Sequence, residues 1–407
     1  MGKRKKRDVT LALDNLHGFA RLGAKAETKT FIPTGHFELD FAINYGILPG
    51  DKELLGHSYK KYDPNQPLGI PCGRVVEIYG QEGSGKSSIC HRIVGQAQKM
   101  GHLCAWIDAE QSYSEDLAII NGVDMDNLIY SDLTNEEDPD KVFYAEDVMD
   151  KIIALVKDND AKVVVLDSVA SLVPKAMMDA PADQQFMALL ARLMGQNVKK
   201  IGQWASKKDA LVIFINQLRD KPGSLFGPAQ TTPGGHALKF HASLRIALTK
   251  RSSKKTLIMI EDEDGNPKVI GRNSGCQISK NRFAQPLLDS KGNTIILDIP
   301  IYYQPYFPGL EDIAFNTGRQ FKLIKPYKGV FSWTDDKNKK FEAEGKKDFI
   351  KLLSNGLLPV FVQALKTKSE ETGVPLPPEL DQYEGGVVPR KLEVDEDGEV
   401  TEDVADL

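Results

Sequence analysis

A glycine-rich octapeptide early in the chain has the residue types of a phosphate-binding loop, in the order Gly-Gln-Glu-Gly-Ser-Gly-Lys-Ser. Glycines let backbone N–H groups converge on phosphate oxygens, because a side chain would block so close an approach. Lys86 supplies a mobile positive charge for the β- and γ-phosphates, and Ser87 offers a hydroxyl to Mg²⁺. The predicted nucleoside triphosphate site is continuous along the chain: Gly80, Gln81, Glu82, Gly83, Ser84, Gly85, Lys86, Ser87 and Ser88.

Two carboxylates stand at the ends of apolar runs, where open α/β sheets bind their ligands. Asp167 follows Val163–Leu166 and is expected to hold Mg²⁺ through water, opposite Ser87. Glu110 follows the predicted strand Leu103–Ile107, and it is the candidate general base that polarises a water for attack on the γ-phosphate. The plainer interpretation of Glu110 is a solvated glutamate that starts a helix.

A third apolar run ends in two amides, Asn216 and Gln217. Buried amides need hydrogen-bond partners, so a γ-phosphate or its water is expected there. The segment from Leu218 to Gly235 that follows is too long and too glycine-rich for a simple connector. Its Arg219 and Phe226 suit contacts to the phosphates and bases of single-stranded DNA. Composition alone leaves a substrate lid and an ordinary surface loop open as well.

Apolar strands alternate with amphipathic helices around these residues, and the alternation predicts a mostly parallel sheet with helices on both faces. The predicted strands are Arg74–Tyr79, Leu103–Ile107, Asn127–Tyr130, Lys162–Leu166 and Ala210–Ile215. The predicted helices are Ser88–Met100, Leu117–Asn121, Ala145–Lys157 and Leu189–Ala205. After Ser243 we expect hairpin-like strands, with turns at Asp264-Gly265-Asn266 and Lys291-Gly292-Asn293.

A chain of 407 residues with 41% hydrophobic content can hold one large α/β domain and smaller appendages. Residues 3–7 are all basic, whereas residues 392–407 hold carboxylates without Lys or Arg, and both ends are predicted to be solvated and unstructured. The four cysteines lack metal-ligand spacing, and neither a signal peptide nor an apolar run of membrane-spanning length is visible. We therefore expect a reduced, cytoplasmic protein without a membrane partner.

Five motifs closely resemble those of the RecA recombinase family in spelling, order and spacing: Gly80–Ser87, Ile107–Glu110, Val165–Ala170, Phe214–Gln217 and Thr232–Phe240. The resemblance runs from about Thr28 to Leu365 and weakens after Asp289. It implies a RecA-type ATPase, with ATP and Mg²⁺ as cofactors. Such a protein forms a helical filament of many copies on single-stranded DNA, pairs that strand with homologous double-stranded DNA, and exchanges strands in recombination and repair. Single-strand-binding and loading proteins are further partners of the family.

The resemblance also implies roles for individual residues. The family positions at or near the DNA correspond to Met187, Arg192, Arg219, Gly234 and Gly235. Phe226 is a further DNA candidate from the composition of the loop alone. Two lysines that reach across the subunit interface to the neighbour's ATP are matched by Lys280 and Arg282. The implied catalytic set is Glu110, Lys86, Gln217, Lys280 and Arg282.

Some positions depart from the family pattern. Pro222 stands where a β-branched residue is usual, His236 replaces an asparagine, and Asp51–Pro71 looks like an insertion. These departures suggest a divergent branch; a phage-encoded member would act in the host cytoplasm, in association with the nucleoid. We predict four regions: a basic N-terminal oligomerisation arm in residues 1–35, the ATPase core in residues 36–304, a small α/β C-terminal domain in residues 305–366, and a disordered acidic tail in residues 367–407.

Two other functional classes remain open. A ring-forming hexameric helicase of related core would need an N-terminal collar domain, and only the short region 1–35 precedes the predicted core. A regulatory ATPase of the same fold would use ATP to change partners without DNA, and the basic, glycine-rich loop argues against it. ATPase activity measured with and without single-stranded DNA distinguishes these classes.

Overall fold

The computed structural model describes residues 30–49, 67–134, 142–177, 187–220, 230–261, 267–303 and 310–372, with short stretches at 376–377, 380, 383, 393–394 and 400–401. The predicted turn at 264–266 and the predicted region boundary between residues 304 and 305 lie outside the described residues. So do most of the N-terminal arm, residues 51–66 of the predicted insertion Asp51–Pro71, and most of the acidic tail.

A sheet of nine strands forms the centre of the fold, in the order β11-β12-β10-β3-β7-β6-β4-β5 with β13 paired to β12. Six neighbouring strands run parallel, from β10 to β5, and the remaining three are antiparallel. The strands are β1 Phe31–Ile32, β2 Ile70–Pro71, β3 Arg74–Gly80, β4 Cys104–Asp108, β5 Leu128–Ser131, β6 Val163–Asp167, β7 Leu211–Gln217, β8 Arg219–Asp220, β9 Gln230–Thr231, β10 Leu244–Thr249, β11 Leu257–Glu261, β12 Pro267–Asn281, β13 Leu297–Tyr302, β14 Lys325–Tyr327, β15 Val330–Thr334, β16 Lys340–Glu344, β17 Glu393–Val394 and β18 Val400–Thr401.

Helices cover both faces of this sheet, as predicted from the continuous apolar runs of its strands. They are α1 Phe37–Tyr45, α2 Lys86–Lys99, α3 Glu115–Ile120, α4 Ala145–Lys157, α5 Met187–Lys208, α6 Ala237–His241, α7 Leu310–Gln320, α8 Gly345–Leu352 and α9 Leu358–Thr372. Shorter turns occur at Val169–Ser171, Lys175–Met177 and Lys254–Thr256, with a π-turn at Leu353–Leu357.

Strand register brings the polar strand ends to one edge of the sheet. Gly80 at the end of β3 lies opposite Gln217 at the end of β7. Asp108 at the end of β4 lies opposite Asp167 at the end of β6. Because parallel strands all point the same way, residues far apart in sequence meet here.

Two apolar clusters fix the sheet between its helices. The cluster under α2 includes Ile78, Ile213 and Trp106. The cluster under α4 and α5 includes Val164, Phe214 and other fully buried side chains from alternate strand positions. Alternation along each strand sends neighbouring side chains to opposite clusters, so the polar residues at the strand ends also divide between the two faces.

A third apolar cluster joins α1 to the small sheet β14–β16 and its helices, with Phe41, Trp333 and Phe361 buried in it. Within the described residues, one helical stretch, Gly345–Glu371, is long and apolar enough by composition to cross a membrane. Its Phe349 and Leu365 side chains are fully buried in this cluster, so they form the core of a packed unit.

The predicted elements are present, with small differences at their ends. Helix α4 has its predicted bounds, while α5 begins earlier and ends later than predicted. Strand β7 continues through Asn216 and Gln217, because their backbone groups stay in the ladder opposite Tyr79 and Gly80. The last helix ends at Thr372. The four regional boundaries stay predictions.

Candidate nucleotide and DNA site

The glycine-rich loop connects β3 directly to α2, as the sequence predicts. Gly83 and Gly85 have φ angles of 66° and 91°, which side chains of L-residues rarely adopt. A Cβ at Gly80 would lie 2.2 Å from the Leu248 carbonyl oxygen, and one at Gly85 would lie 2.6 Å from Ile301. The glycines are therefore required by both backbone shape and close packing, and they leave the loop open at the N-terminus of α2.

Lys86 opens α2 and folds back over the loop. Its ammonium donates to the Gln81 carbonyl oxygen at 3.0 Å, and the Ser84 hydroxyl donates to the same oxygen at 2.7 Å. Burial lowers the pKa of Lys86, while the carboxylates of Asp167 and Glu110 act in the opposite direction. A buried cation at the N-terminus of a helix, whose first N–H groups lack intrahelical partners, fits a phosphate chain.

Ser87 and Asp167 meet at the edge of the loop, where the Ser87 hydroxyl donates to the Asp167 carboxylate at 2.7 Å. Burial, together with the nearby carboxylates of Glu110 and Asp108, raises the pKa of Asp167 to about 6, while the Ser87 hydrogen bond and Lys86 act in the opposite direction. Two carboxylates, Glu110 and Asp108, and one cation, Lys86, act on Asp167, which leaves an excess of negative charge that fits a divalent cation.

Ser87 and Asp167 supply only part of the ligand set of a metal ion. Among the described residues, no group of three or more His, Cys, Asp or Glu side chains is arranged to hold a metal ion. Mg²⁺ at a nucleotide site needs no such group, because phosphate oxygens and waters complete its octahedron. The pair Ser87 and Asp167 therefore fits Mg²⁺ that arrives with a nucleotide.

The segment after β4 is held rigidly by Asp108. The Asp108 carboxylate accepts three backbone N–H groups, from Glu110 at 3.1 Å, Ser112 at 2.7 Å and Tyr113 at 2.8 Å. The backbone N–H of Glu110 also lies 3.2 Å from the Asp167 carbonyl oxygen. These contacts fix the direction in which the Glu110 side chain leaves the sheet.

Glu110 is next to two further donors at the same edge. Gln217 donates its side-chain amide N–H to the Glu110 carboxylate at 2.7 Å, and the Ser168 hydroxyl donates to the same oxygen. Sequence reasoning missed Ser168 and the organising role of Asp108. Both stand inside motifs that the sequence marks, Ser168 directly after the metal-site aspartate and Asp108 two residues before Glu110.

The sequence predicts that the Asn216 side chain meets a γ-phosphate or its water, and the structure gives this side chain other partners. Its side chain is fully buried on the opposite face from Ile215 and donates to the Glu77 carboxylate at 3.0 Å and to the Pro233 carbonyl oxygen at 3.1 Å. That expectation is wrong because adjacent strand residues face opposite sides of a sheet, so only one of the two amides can reach Glu110.

The two ends of the candidate DNA loop are ordered against each other. Arg219 pairs with Thr231 in the short antiparallel ladder β8–β9, and its exposed guanidinium lies 3.4 Å from the Ala170 carbonyl oxygen. Gly234 and Gly235 have positive φ angles, and a Cβ at Gly235 would lie 2.6 Å from the Ala191 Cβ. The loop return therefore packs on the first turns of α5.

Arg192 directly follows Ala191 on α5 and is exposed. Arg219 lies near Ala170, and Gly234 and Gly235 lie against Val169 and Ala191, so these three residues share one region. Phe226 lies outside the described residues, and so does the side chain of Met187, although its backbone begins α5.

Lys280 and Arg282 lie away from the Glu110 edge in this chain. The Lys280 ammonium donates to the carbonyl oxygens of Lys239 at 2.7 Å and Phe240 at 3.0 Å, and Arg282 donates to that of Phe240 at 2.8 Å. Both cations therefore converge on one target, and that target is the last turn of α6. Burial lowers the pKa of Lys280, and so do Arg282 and Arg245.

Comparison with known proteins covers the part of the chain that builds this site. A family model described as the RecA N-terminal domain matches residues 67–298. Protein RecA of Roseiflexus sp. (strain RS-1) is 39% identical over 255 residues, and that of Symbiobacterium thermophilum is 37% identical over 255 residues; each alignment covers 63% of this chain and 61% of the relative. Protein RecA of Caldanaerobacter subterraneus is 35% identical over 267 residues, which are 65% of this chain and 66% of the relative.

The chain thus spans a little less than two thirds of the length of the curated relatives it matches first. The matched region begins before β3 and ends within β13, so it contains the phosphate loop, Glu110, Asp167, Gln217 and both ends of the 218–235 loop. Since the family model covers more than half of the chain and its match spans every element of this edge, the protein belongs to the RecA family.

Proposed function

We propose that this protein is a DNA-dependent ATPase that forms a filament on single-stranded DNA and catalyses homologous pairing and strand exchange. The contact between Gln217 and Glu110 is the observation that carries the proposal. It joins a candidate general base to the residue immediately before the 218–235 loop. A change at the loop can therefore alter the position of the carboxylate that hydrolysis needs.

Nucleotide binding is assigned to the loop Gly80–Ser88. Lys86 and the backbone N–H groups of the loop hold the phosphates, while Ser87 and Asp167 hold Mg²⁺. Bound Mg²⁺ would neutralise charge on the phosphates of ATP. Glu110 orients a water and accepts its proton, and the Ser168 and Gln217 donors keep that carboxylate in place.

DNA binding is assigned to the region formed by the loop return and the start of α5. Arg192 and Arg219 neutralise backbone phosphates, and the backbone N–H groups of Gly234 and Gly235 contact them as well. Phe226 and Met187 contact the bases. The proximity of Gly235 to Ala191 supports this grouping, because it unites residues from two separate segments.

Filament formation assigns a second role to Lys280 and Arg282. Each subunit contributes these cations to the nucleotide site of its neighbour, where they stabilise charge that develops during hydrolysis. DNA then activates ATPase by aligning subunits along itself. The protein would act in the cytoplasm on single- and double-stranded DNA, with single-strand-binding and loading proteins as partners.

ATPase activity with and without single-stranded DNA tests this function. We expect stimulation by DNA in the unsubstituted protein, and none in Lys86→Ala, which loses the main positive partner of the phosphates. Hydrolysis that is unaffected by DNA, with no filament visible by electron microscopy, would instead favour a regulatory ATPase. Rings with duplex-unwinding activity would favour a helicase.

The loop assignment is tested with Arg219→Ala and a matched variant. Loss of one phosphate contact should weaken single-strand binding and lower the salt dependence of the affinity by about one unit of slope. Lys99→Ala removes the same charge at the exposed far end of α2, about 20 Å from Lys86 along the helix, and should leave both quantities unchanged. Equal affinities of the two variants by fluorescence anisotropy would place the DNA elsewhere.

A further inference from the structure

A buried hydrogen-bond cluster lies on the face of the sheet opposite α2, behind the strand end that carries Gln217. Its centre is Asn216, whose side chain is fully buried. Both amide hydrogens are used, one by the Glu77 carboxylate on β3 and one by the Pro233 carbonyl oxygen. The amide oxygen accepts the backbone N–H of Gln217 at 3.0 Å. Asn216 is thus satisfied on every side, with no donor left for a ligand.

Glu77 holds this amide in a defined orientation. Its carboxylate is fully buried and accepts from Arg245 on β10 through the second oxygen, at 2.5 Å. Arg245 in turn stacks on the Tyr79 ring at 4.5 Å, and the Tyr79 hydroxyl donates to Ser279 on β12. A buried carboxylate with its cation and an amide on either side leaves little rotational freedom to Asn216.

Asn216 connects the strand end that carries Gln217 to the return of the 218–235 loop. Asn216 directly precedes Gln217, which touches Glu110. Pro233 lies at the far end of the 218–235 loop, next to Gly234 and Gly235. One side chain therefore joins the strand that enters the loop to the segment that leaves it. A displacement of the loop return is transferred through a single hydrogen bond to the residue beside Gln217.

We propose, on the premise of the function proposed above, that Asn216 is a positioning residue that clamps the two ends of the 218–235 loop and transmits DNA occupancy to Gln217 and Glu110. Glu77 keeps the clamp oriented and is not itself the transmitting group. Without the clamp, DNA can still occupy the loop and ATP can still occupy its own site, but the two events no longer affect each other.

The decisive variant exchanges the two partners, as Glu77→Gln with Asn216→Asp. The glutamine amide at position 77 can donate to the aspartate at 216, and its carbonyl oxygen can accept from Arg245. The buried cluster therefore keeps one carboxylate, one amide and its volume. The aspartate, however, has no N–H to donate to Pro233, so only the tie to the loop return is lost.

We expect the exchanged variant to bind single-stranded DNA and to hydrolyse ATP without DNA as the unsubstituted protein does. Stimulation of kcat by DNA should fall to a factor of about one, whereas typical couplings between sites amount to roughly 5–150-fold. The KM for ATP should stay within about twofold, since ATP contacts are intact. A merely structural role would lower the thermal midpoint without separating these quantities.

Tyr79→Phe is the matched control. It removes the hydrogen bond to Ser279 from the same buried cluster and leaves the contacts of Asn216 with Glu77 and Pro233 intact, so DNA stimulation should persist. Asn216→Ser repeats the test without the exchange. It leaves Glu77 and Arg245 paired, and the serine hydroxyl is too short to contact the Pro233 carbonyl oxygen.

Full DNA stimulation in a folded exchanged variant, or in a folded Asn216→Ser protein, would overturn the clamp. Loss of stimulation in Tyr79→Phe to the same extent would also overturn it, because the tie to the loop return is intact there. Absence of DNA stimulation in the unsubstituted protein would instead refute the proposed function. Failure of the clamp and failure of the proposed function therefore give different results.

Discussion

At the scale of single residues, Glu110 is the group on which the proposed hydrolysis depends. Two donors, Ser168 and Gln217, converge on its carboxylate, and the backbone around it is held by Asp108. These contacts suit a base that must face one water in a defined direction, and they would also persist with a neutral amide at position 110.

We predict that Glu110→Gln binds ATP and single-stranded DNA normally but hydrolyses ATP about 10²-fold or more slowly, the usual contribution of a general base. Steady-state ATPase and nucleotide-binding assays measure the two quantities. Glu115→Gln makes the same charge change at the exposed start of α3 and should hydrolyse ATP normally. Normal turnover by Glu110→Gln would show that the base lies elsewhere.

The raised pKa of Asp167 makes the free energy of unfolding depend on pH. Burial raises that pKa from 3.8 to about 6, so the folded state holds its proton more tightly than the unfolded state. Without nucleotide, the stability contributed by this carboxyl therefore falls as pH rises from 3.8 to about 6, and stays low above that window.

We predict that Asp167→Asn raises the melting temperature of the nucleotide-free protein at pH 7.5, and that the gain shrinks as pH is lowered from about 6 toward 4. The variant should also bind ATP with Mg²⁺ more weakly at pH 7.5, because it lacks a charged metal ligand. Thermal scans over pH, with and without Mg²⁺, measure both effects. A melting difference that does not change with pH would contradict the assignment.

At the scale of elements, the return of the 218–235 loop onto α5 positions the candidate DNA contacts. The approach of Gly235 to Ala191 leaves no room for a methyl group, and the φ angle of Gly235 is 71°. A substitution there strains the backbone and pushes the loop away from α5 at the same time.

We predict that Gly235→Ala lowers the free energy of unfolding by about 1–3 kcal/mol more than Gly292→Ala, and weakens single-strand binding. Gly292 has a φ angle of 83° but no atom within 4 Å of the added methyl, so it shares the backbone strain without the clash. Urea unfolding and DNA titration check the pair. Equal effects on DNA affinity would mean that packing against α5 does not position the loop.

At the scale of the whole molecule, Lys280 and Arg282 distinguish a site built in one chain from a site shared between chains. In the single chain both cations rest on carbonyl oxygens of α6. Carbonyl oxygens are weaker partners than phosphates for a cation, so a neighbour's nucleotide can draw these side chains away when subunits assemble.

We predict that Lys280→Ala and Glu110→Gln are each inactive in DNA-stimulated hydrolysis but recover partial activity when mixed. Mixed filaments contain some interfaces in which Lys280 of one subunit meets Glu110 of another. Lys280→Ala mixed with a chain carrying both substitutions has no such interface and should show no recovery. If filaments shown by microscopy to be mixed stay inactive in the first case too, the site lies within one chain.

Local chemistry in the sequence was enough to predict the strand–loop–helix at Gly80–Ser87, the alternation of strands and helices, and the roles proposed for Asp167 and Glu110. Such features depend on residues that are near one another in the chain, since a glycine turn, an apolar run and a terminal carboxylate each have a local physical cause. The length and glycine content of the segment Leu218–Gly235 likewise predicted one long loop that contains Arg219, Gly234 and Gly235.

The tertiary structure decided which of those residues meet. Strand register and alternation turn Gln217 toward Glu110, 107 positions away, and turn Asn216 to the other face, where Glu77 and Pro233 receive it. The carbonyl partners of Lys280 and Arg282 likewise depend on the packing of α6 against β12. A sequence lists the side chains of a strand, but only the assembled sheet, with its neighbours in register, determines what each face contacts.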